Sequence, residues 1–102
     1  MQRGEIWWGE SPNQQGRPYV VLMRDGALPV VERVIVAPIT GTIRGIATEV
    51  ALDTSDGVPN ECVVTLDNIS TIERMFLLQR VGSLSAERMA EVCAALQVAV
   101  DC

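Results

Sequence analysis

Short β-branched runs, cut by turn signals at nearly even intervals of about 8 to 12 residues, fill most of this sequence and leave room for a helix only at its end. Residues 4–9 (GEIWWG) alternate in part, with Ile6 and Trp8 on one face and Glu5 and Trp7 on the other. The stretch 10–17 (ESPNQQGR) has the composition of a loop. Pro18 then opens PYVVLM, an unbroken apolar run expected to be a central strand buried on both faces. Arg24-Asp25-Gly26 reads as a turn, residues 32–40 (ERVIVAPIT) as a third run, and 41–45 (GTIRG) as a mobile, glycine-bracketed loop. A half-exposed strand over 47–53 (ATEVALD), a turn at Ser55-Asp56-Gly57, and strands over 61–69 (ECVVTLDNI) and 76–83 complete a mainly β pattern, that of a small barrel or sandwich.

After Ser85 the period changes. Met89, Val92, Cys93, Leu96 and Val100 fall on one face of a 3.6-residue helix, and Ala90, Ala94 and Val98 widen the stripe. Ser85 suits the N-cap and Glu87 the positive end of the helix dipole, although Arg88 stands where a capping box would need a glutamate. The helix is expected to close one end of the barrel. With 102 residues, 48% of them hydrophobic, residues 1–102 are expected to form one domain with one core.

Thirteen carboxylates against eight arginines give a net charge of -5, so a general basic coat for nucleic acid is excluded and any polyanion contact must come from a few local arginines. The chain has no histidine, which removes the commonest general acid/base and the commonest transition-metal ligand together. Cys62, Cys93 and Cys102 have no C-x-x-C spacing, and the carboxylates form no metal-ligating cluster, so neither a metal nor a cofactor is expected. Residues 1–10 have no apolar core of a targeting signal and no run reaches the roughly 18 residues of a membrane span, which makes a cytoplasmic protein the expectation.

Gly16-Arg17-Pro18 is the one junction with chemistry in it. Glycine allows close approach of a ligand to the backbone, proline fixes the strand entry, and the arginine between them offers a planar fork of donors to a phosphate. Thr40 ends an apolar strand and supplies a hydroxyl. Trp7 and Trp8 have the surface to stack on bases, but tryptophans in strands more often fill a core.

In order along the chain, RGEIWW (3–8), GRPYVVLMR (16–24), VIVAPIT (34–40), ECVVTLDNISTIER (61–74) and RVGSLS (80–85) together resemble the MazF/PemK family of toxin endoribonucleases, over nearly the whole length. The resemblance implies an SH3-like (CcdB/PemK-like) barrel with a C-terminal helix, and a homodimer inhibited by a MazE-like antitoxin. It also implies metal-independent cleavage of single-stranded RNA to 2′,3′-cyclic phosphate and 5′-hydroxyl ends. By position, the family's catalytic arginine falls on Arg17 and its strand-end threonine on Thr40. Substrate-binding roles fall on Gln15, Arg44, Asp67, Asn68 and Ser70. Two departures, a shorter loop before Arg17 and Asp67-Asn68 in place of a longer acidic-amide pair, bear on the recognised sequence and not on the reaction.

The chemistry agrees with the resemblance. Attack by the RNA's own 2′-hydroxyl needs in-line positioning and stabilisation of the phosphorane charge, which an arginine provides electrostatically. The alternative on the same barrel is a CcdB-like toxin that binds DNA gyrase through its terminal helix. That group ends in a Trp-Gly-Ile type tail, whereas this chain ends Val98-Ala99-Val100-Asp101-Cys102. An inert SH3-like peptide-binding module would need an aromatic groove, and four aromatics are too few to build one.

Overall fold

The computed structural model describes residues 1–101, and Cys102 lies outside them. Seven strands run in the order β1 (Glu5–Ser11), β2 (Gln14–Val21), β3 (Arg33–Thr40), β4 (Glu49–Leu52), β5 (Cys62–Thr65), β6 (Ser70–Glu73) and β7 (Leu77–Ser83), followed by the helix α1 (Ala86–Val100). All pairings are antiparallel, in the sheet order β4-β5-β3-β2-β1-β7, with β6 also on β3. The mainly β expectation with a closing helix holds. No ladder among the described residues joins the edge strands β4 and β7. The gap between them is bridged instead by the turn after β4, where Gly57 (φ 94°) lies so close to Gly82 that a Cβ on it would sit 3.2 Å from the Gly82 Cα. Only glycine combines that left-handed backbone with that approach.

β3 organises the sheet because it has three partners. It pairs with β2 through Tyr19↔Pro38, Val20↔Ala37 and Val21↔Val36, and with β6 along Arg33 to Val36. At Ile39 and Thr40 it leaves β2 and pairs with β5, at Val64 and Val63. The side of β2 facing β3 is therefore unpaired from Pro18 backwards, where a proline without an N–H is tolerated.

Val20 and Val21, both fully buried, point into different clusters, as expected for a strand covered on both faces. Val20 packs with Ile6, Val64 and Leu66 beneath α1, and Val21 packs with Leu28, Val34 and Ile72.

The Ser85 side chain caps α1 by accepting from the Arg88 N–H (3.1 Å). Arg88, a misfit for a capping box, instead turns its guanidinium onto the buried Asp56 carboxylate through Nε (3.1 Å) and Nη2 (3.1 Å), tying the helix to the turn after β4. The buried face of α1 is Met89, Val92 and Ala95, with Cys93, Leu96 and Ala99 half-buried. Val98 and Val100 are exposed, so the packed stripe is narrower than the pattern predicts and is finished by alanines. Among the described residues no helix is long and apolar enough to cross a membrane.

Two boundaries differ from the sequence reading. Residues 10–17 are not a loop: β1 and β2 form a tight hairpin with only Pro12 and Asn13 between them, so Arg17 lies within a strand, paired with Gly9. Polar composition hid a strand whose backbone is satisfied by its partner rather than by burial. Likewise the run 61–69 breaks after Thr65 into a 3-10 turn at Leu66–Asn68, and Ser70–Glu73 forms a separate strand on β3.

Near the chain start, the Glu5 carboxylate is buried and accepts from the Gln2 N–H (2.8 Å) and the Trp7 indole (3.0 Å), with Arg80 at 3.5 Å. Burial pushes its pKa up, but those hydrogen bonds, the N-terminal charge and Arg80 outweigh it and hold it below the ordinary 4.5. A lowered carboxylate pKa contributes stability that is present above 4.5 and lost as pH falls through the folded-state value. Urea unfolding at stepped pH should therefore give a steeper acid loss below pH 4.5 for the native chain than for Glu5→Gln.

Candidate active site

Gly16-Arg17-Pro18 owes its conformation to the aromatics around it. Trp8 pairs with Pro18 across the hairpin, and its indole lies against Gly16, where a Cβ would come within 2.5 Å of Cζ2. On the opposite face the Tyr19 ring covers Gly9, where a Cβ would come within 2.8 Å. The expectation that Gly16 leaves room for a ligand is thus replaced by a different cause: the space is taken by tryptophan. With Trp8 clamped on one face of the segment, strand alternation directs Arg17 to the other.

There Arg17 lines a shallow cavity of about 360 Å³ together with Gln15, Tyr19, Pro38, Asn68 and Ser70. Gln15, Arg17, Asn68 and Ser70 are all candidates from the sequence, brought together from β2, the 3-10 turn after β5 and β6. Gln14, Tyr19 and Pro38 were not singled out. Tyr19 was recoverable, since it lies two residues from Arg17 on the same strand face, whereas Pro38 arrives through the β2–β3 register.

The remaining candidates lie elsewhere. Thr40 lines a neighbouring cavity beyond the point where β3 leaves β2, and its Oγ1 accepts from the Thr42 N–H (3.2 Å), leaving the hydroxyl proton to donate. Asp67 turns to the β3–β4 loop, accepting from the Thr48 hydroxyl (2.6 Å). Arg44 is exposed on that loop. Glu49 Oε1 accepts from the backbone N–H of Arg44 (2.9 Å) and Gly45 (3.0 Å), so the segment 41–45 expected to be mobile is anchored at its end by one carboxylate through two hydrogen bonds.

Charge is distributed selectively. The guanidinium groups of Arg3, Arg33, Arg74, Arg80 and Arg88 are occupied, by Cys93, Thr71 and Glu73, the Val31 carbonyl, Glu5, and Asp56 and Glu91 respectively. Those of Arg17, Arg24 and Arg44 have no such partner among the described residues. Arg74 is committed to the fold through the Val31 carbonyl. Cys62 is buried, and burial followed by the charge of Asp56 raises its thiol above the ordinary 9.0, so it stays protonated and is a poor nucleophile. Among the described residues no group of three or more His, Cys, Asp or Glu gathers as a metal site.

Residues 2–100 match the family of PemK-like, MazF-like toxins of type II toxin-antitoxin systems. The chain belongs to this toxin family. The toxin is 48% identical over 101 residues to a probable endoribonuclease of Mycobacterium tuberculosis, MazF5, covering 98% of this chain and 93% of that protein. Among solved structures, the Mycobacterium tuberculosis toxin MazF-mt6 superposes with a TM-score of 0.88 at 35% identity, over 95% of this chain and 96% of the other. A mycobacterial endoribonuclease solved with its cognate antitoxin shares the fold, with a TM-score of 0.90 at 24% identity over 99% and 95% of the two chains. These matches lend nothing to the gyrase-binding alternative.

The contact of Trp8 with Gly16 makes a direct test of the toxin's hairpin. Gly16→Ala should displace the indole and cost about 1–3 kcal/mol of overpacking in a urea titration. Adding Trp8→Ala should recover part of that cost, giving a coupling of about 0.5–3 kcal/mol in the double-mutant cycle. Additive losses would mean that the two residues do not press on each other.

Proposed function

We propose that the chain, acting as a single domain over residues 1–102 in the cytoplasm, is a toxin endoribonuclease. It cleaves single-stranded RNA without a metal ion and is silenced by a MazE-like antitoxin. The observation that carries this reading is the unpaired guanidinium of Arg17 in a cavity ringed by hydrogen-bonding side chains, in a chain of this family. The name of the M. tuberculosis relative supports the same activity.

In this mechanism the 2′-hydroxyl of the substrate attacks the adjacent phosphorus and the 5′-oxygen leaves, giving a 2′,3′-cyclic phosphate and a 5′-hydroxyl. The nucleophile is already attached to the substrate, so the protein's work is to hold the in-line geometry and to stabilise charge on the phosphorane. Arg17 does the second. Its guanidinium is too weak an acid to release a proton readily, but its fork of donors matches two phosphate oxygens. Thr40 donates its hydroxyl to a non-bridging oxygen, across the break between β2 and β3. Gln15, Asn68 and Ser70 grip the flanking nucleotide in the Arg17 cavity, while Arg44 and Asp67 act from the rim.

One shallow cavity cannot hold several nucleotides, so the functional unit is a homodimer whose two copies form a longer groove. An acidic antitoxin segment would occupy the donors of Arg17 and Arg44 and exclude RNA by direct competition.

Incubating the purified protein with a long, weakly structured RNA in EDTA and sequencing the 5′ ends should yield hydroxyl-terminated cuts at a short motif. Arg17→Ala should fold normally and lose cleavage on the order of a hundredfold or more. Retained activity in the folded variant would overturn the assignment of Arg17. A 2′-deoxy residue at the scissile position should block cleavage, and normal cutting of that substrate would rule out the internal nucleophile. Sedimentation should give a dimer at micromolar concentration.

A further inference from the structure

The cavity that holds Thr40 differs in chemistry from the one that holds Arg17. It has a volume of about 410 Å³, and its walls are Trp8, Pro18, Ile39, Val58, Pro59 and Val81. Its polar lining is the Thr40 hydroxyl, the Asn60 amide and the Glu61 carboxylate, and no arginine lines it. Away from the Thr40 hydroxyl, which serves the phosphate in the reading above, a phosphate would find no positive charge there and a carboxylate at the rim. A flat apolar group with hydrogen-bonding edges would find both of its requirements.

Trp8 makes the wall specific. The indole is 38% exposed although it is fixed from behind by Gly16, so it presents a rigid aromatic surface without losing rotamer freedom on binding. Pro18, which lines this cavity, stands between Arg17 and Tyr19, which line the other. Beyond Tyr19↔Pro38 the edge of β2 has no partner, and the two cavities flank that break, Pro38 lining one and Ile39 the other. A phosphate held at Arg17 would leave a neighbouring base within reach of Trp8 across a single strand. That continuity favours a nucleobase over an apolar side chain of a protein partner.

We propose that this cavity is a nucleobase subsite, in which one base of the RNA stacks on Trp8 and presents its edge to Asn60 and Glu61. The assignment rests on the ribonuclease reading above, and it makes Trp8 and Glu61 determinants of sequence preference. Glu61, an acceptor only when ionised, favours a base that carries an exocyclic amine.

The test uses RNA oligonucleotides containing the cleavage motif, with an abasic residue at each position in turn. Kinetics are measured for the native protein and for Trp8→Leu, Trp8→Phe and Glu61→Gln. Affinity is measured on the same series with a non-cleavable 2′-deoxy residue at the scissile position. Trp8→Leu should raise KM by at least about fivefold, the loss of one base-on-aromatic stack, and Trp8→Phe should restore most of it. One abasic position should weaken binding to the native protein but not to Trp8→Leu. Glu61→Gln, an exposed change that does not threaten the fold, should alter the base preferred at that same position.

A flat abasic series, or a fall in kcat with KM unchanged, would overturn the subsite and reduce Trp8 to a support for Arg17. So would a Trp8→Leu protein that binds RNA normally but loses an antitoxin peptide, which would make the cavity a protein site. A native protein that cuts no RNA and binds none would remove the ribonuclease reading and the subsite together. A native protein that cuts RNA with a flat abasic series would remove the subsite alone.

Discussion

The departure of β3 from β2 after Pro38 is the constraint on which the rest of this molecule depends. A strand that continued on one partner would make a continuous sheet with no opening at residues 16–18. Because β3 moves to β5 at Ile39, the edge of β2 is released where Arg17 stands, and a cavity forms on each side of the break. The same crossing splits the apolar interior into two clusters, one beneath the helix and one beneath β6. Sheets that fold over on themselves in this way bury both faces of their central strand, which is why PYVVLM can be so uniformly apolar.

Within that frame the hairpin β1–β2 acts as a mount for one side chain. Trp8 on Gly16 and Tyr19 on Gly9 are reciprocal aromatic-on-glycine contacts on opposite faces, and together they fix the twist of the segment that carries Arg17. Such packing holds Arg17 on a strand rather than on a loop, and with it the geometry that the proposed phosphoryl chemistry requires. The acidic composition is consistent with this economy of positive charge. Five arginines are held by carboxylates, a hydroxyl, a carbonyl or a thiol in the fold, and the guanidinium groups of Arg17 and Arg44 are left without such a partner among the described residues. Arg24 is equally unpaired but lies in the turn after β2, away from both cavities.

Much of this could be read along the chain. The alternation of 4–9, the apolar run after Pro18, the turn residues and the change to helical period at Ser85 are local signals, because a strand or helix face is set by neighbours within one or two turns. Arg17 and its glycine and proline were legible for the same reason, and so was the Ser85 cap. Less legible was the strand character of Gln14 to Arg17, since polar residues on a hairpin edge look like a loop until the partner strand is known. The separate strand Ser70–Glu73 was hidden in the same way: it has one buried residue, Ile72, and exists because β3 has a free side there.

The sequence by itself determined the fold class, the single closing helix, the shortage of free positive charge and the identity of the arginine at the centre of the proposed site. These depend on composition and on short-range periodicity. Only the tertiary structure decided that Gln15, Arg17, Asn68 and Ser70 share one cavity, that Asp67 turns away to Thr48, and that Gly16 serves Trp8 rather than a ligand. Those facts follow from strand register and from the switch of β3 between partners. Both are long-range pairings, and a one-residue change in either would send the same side chains to the opposite face.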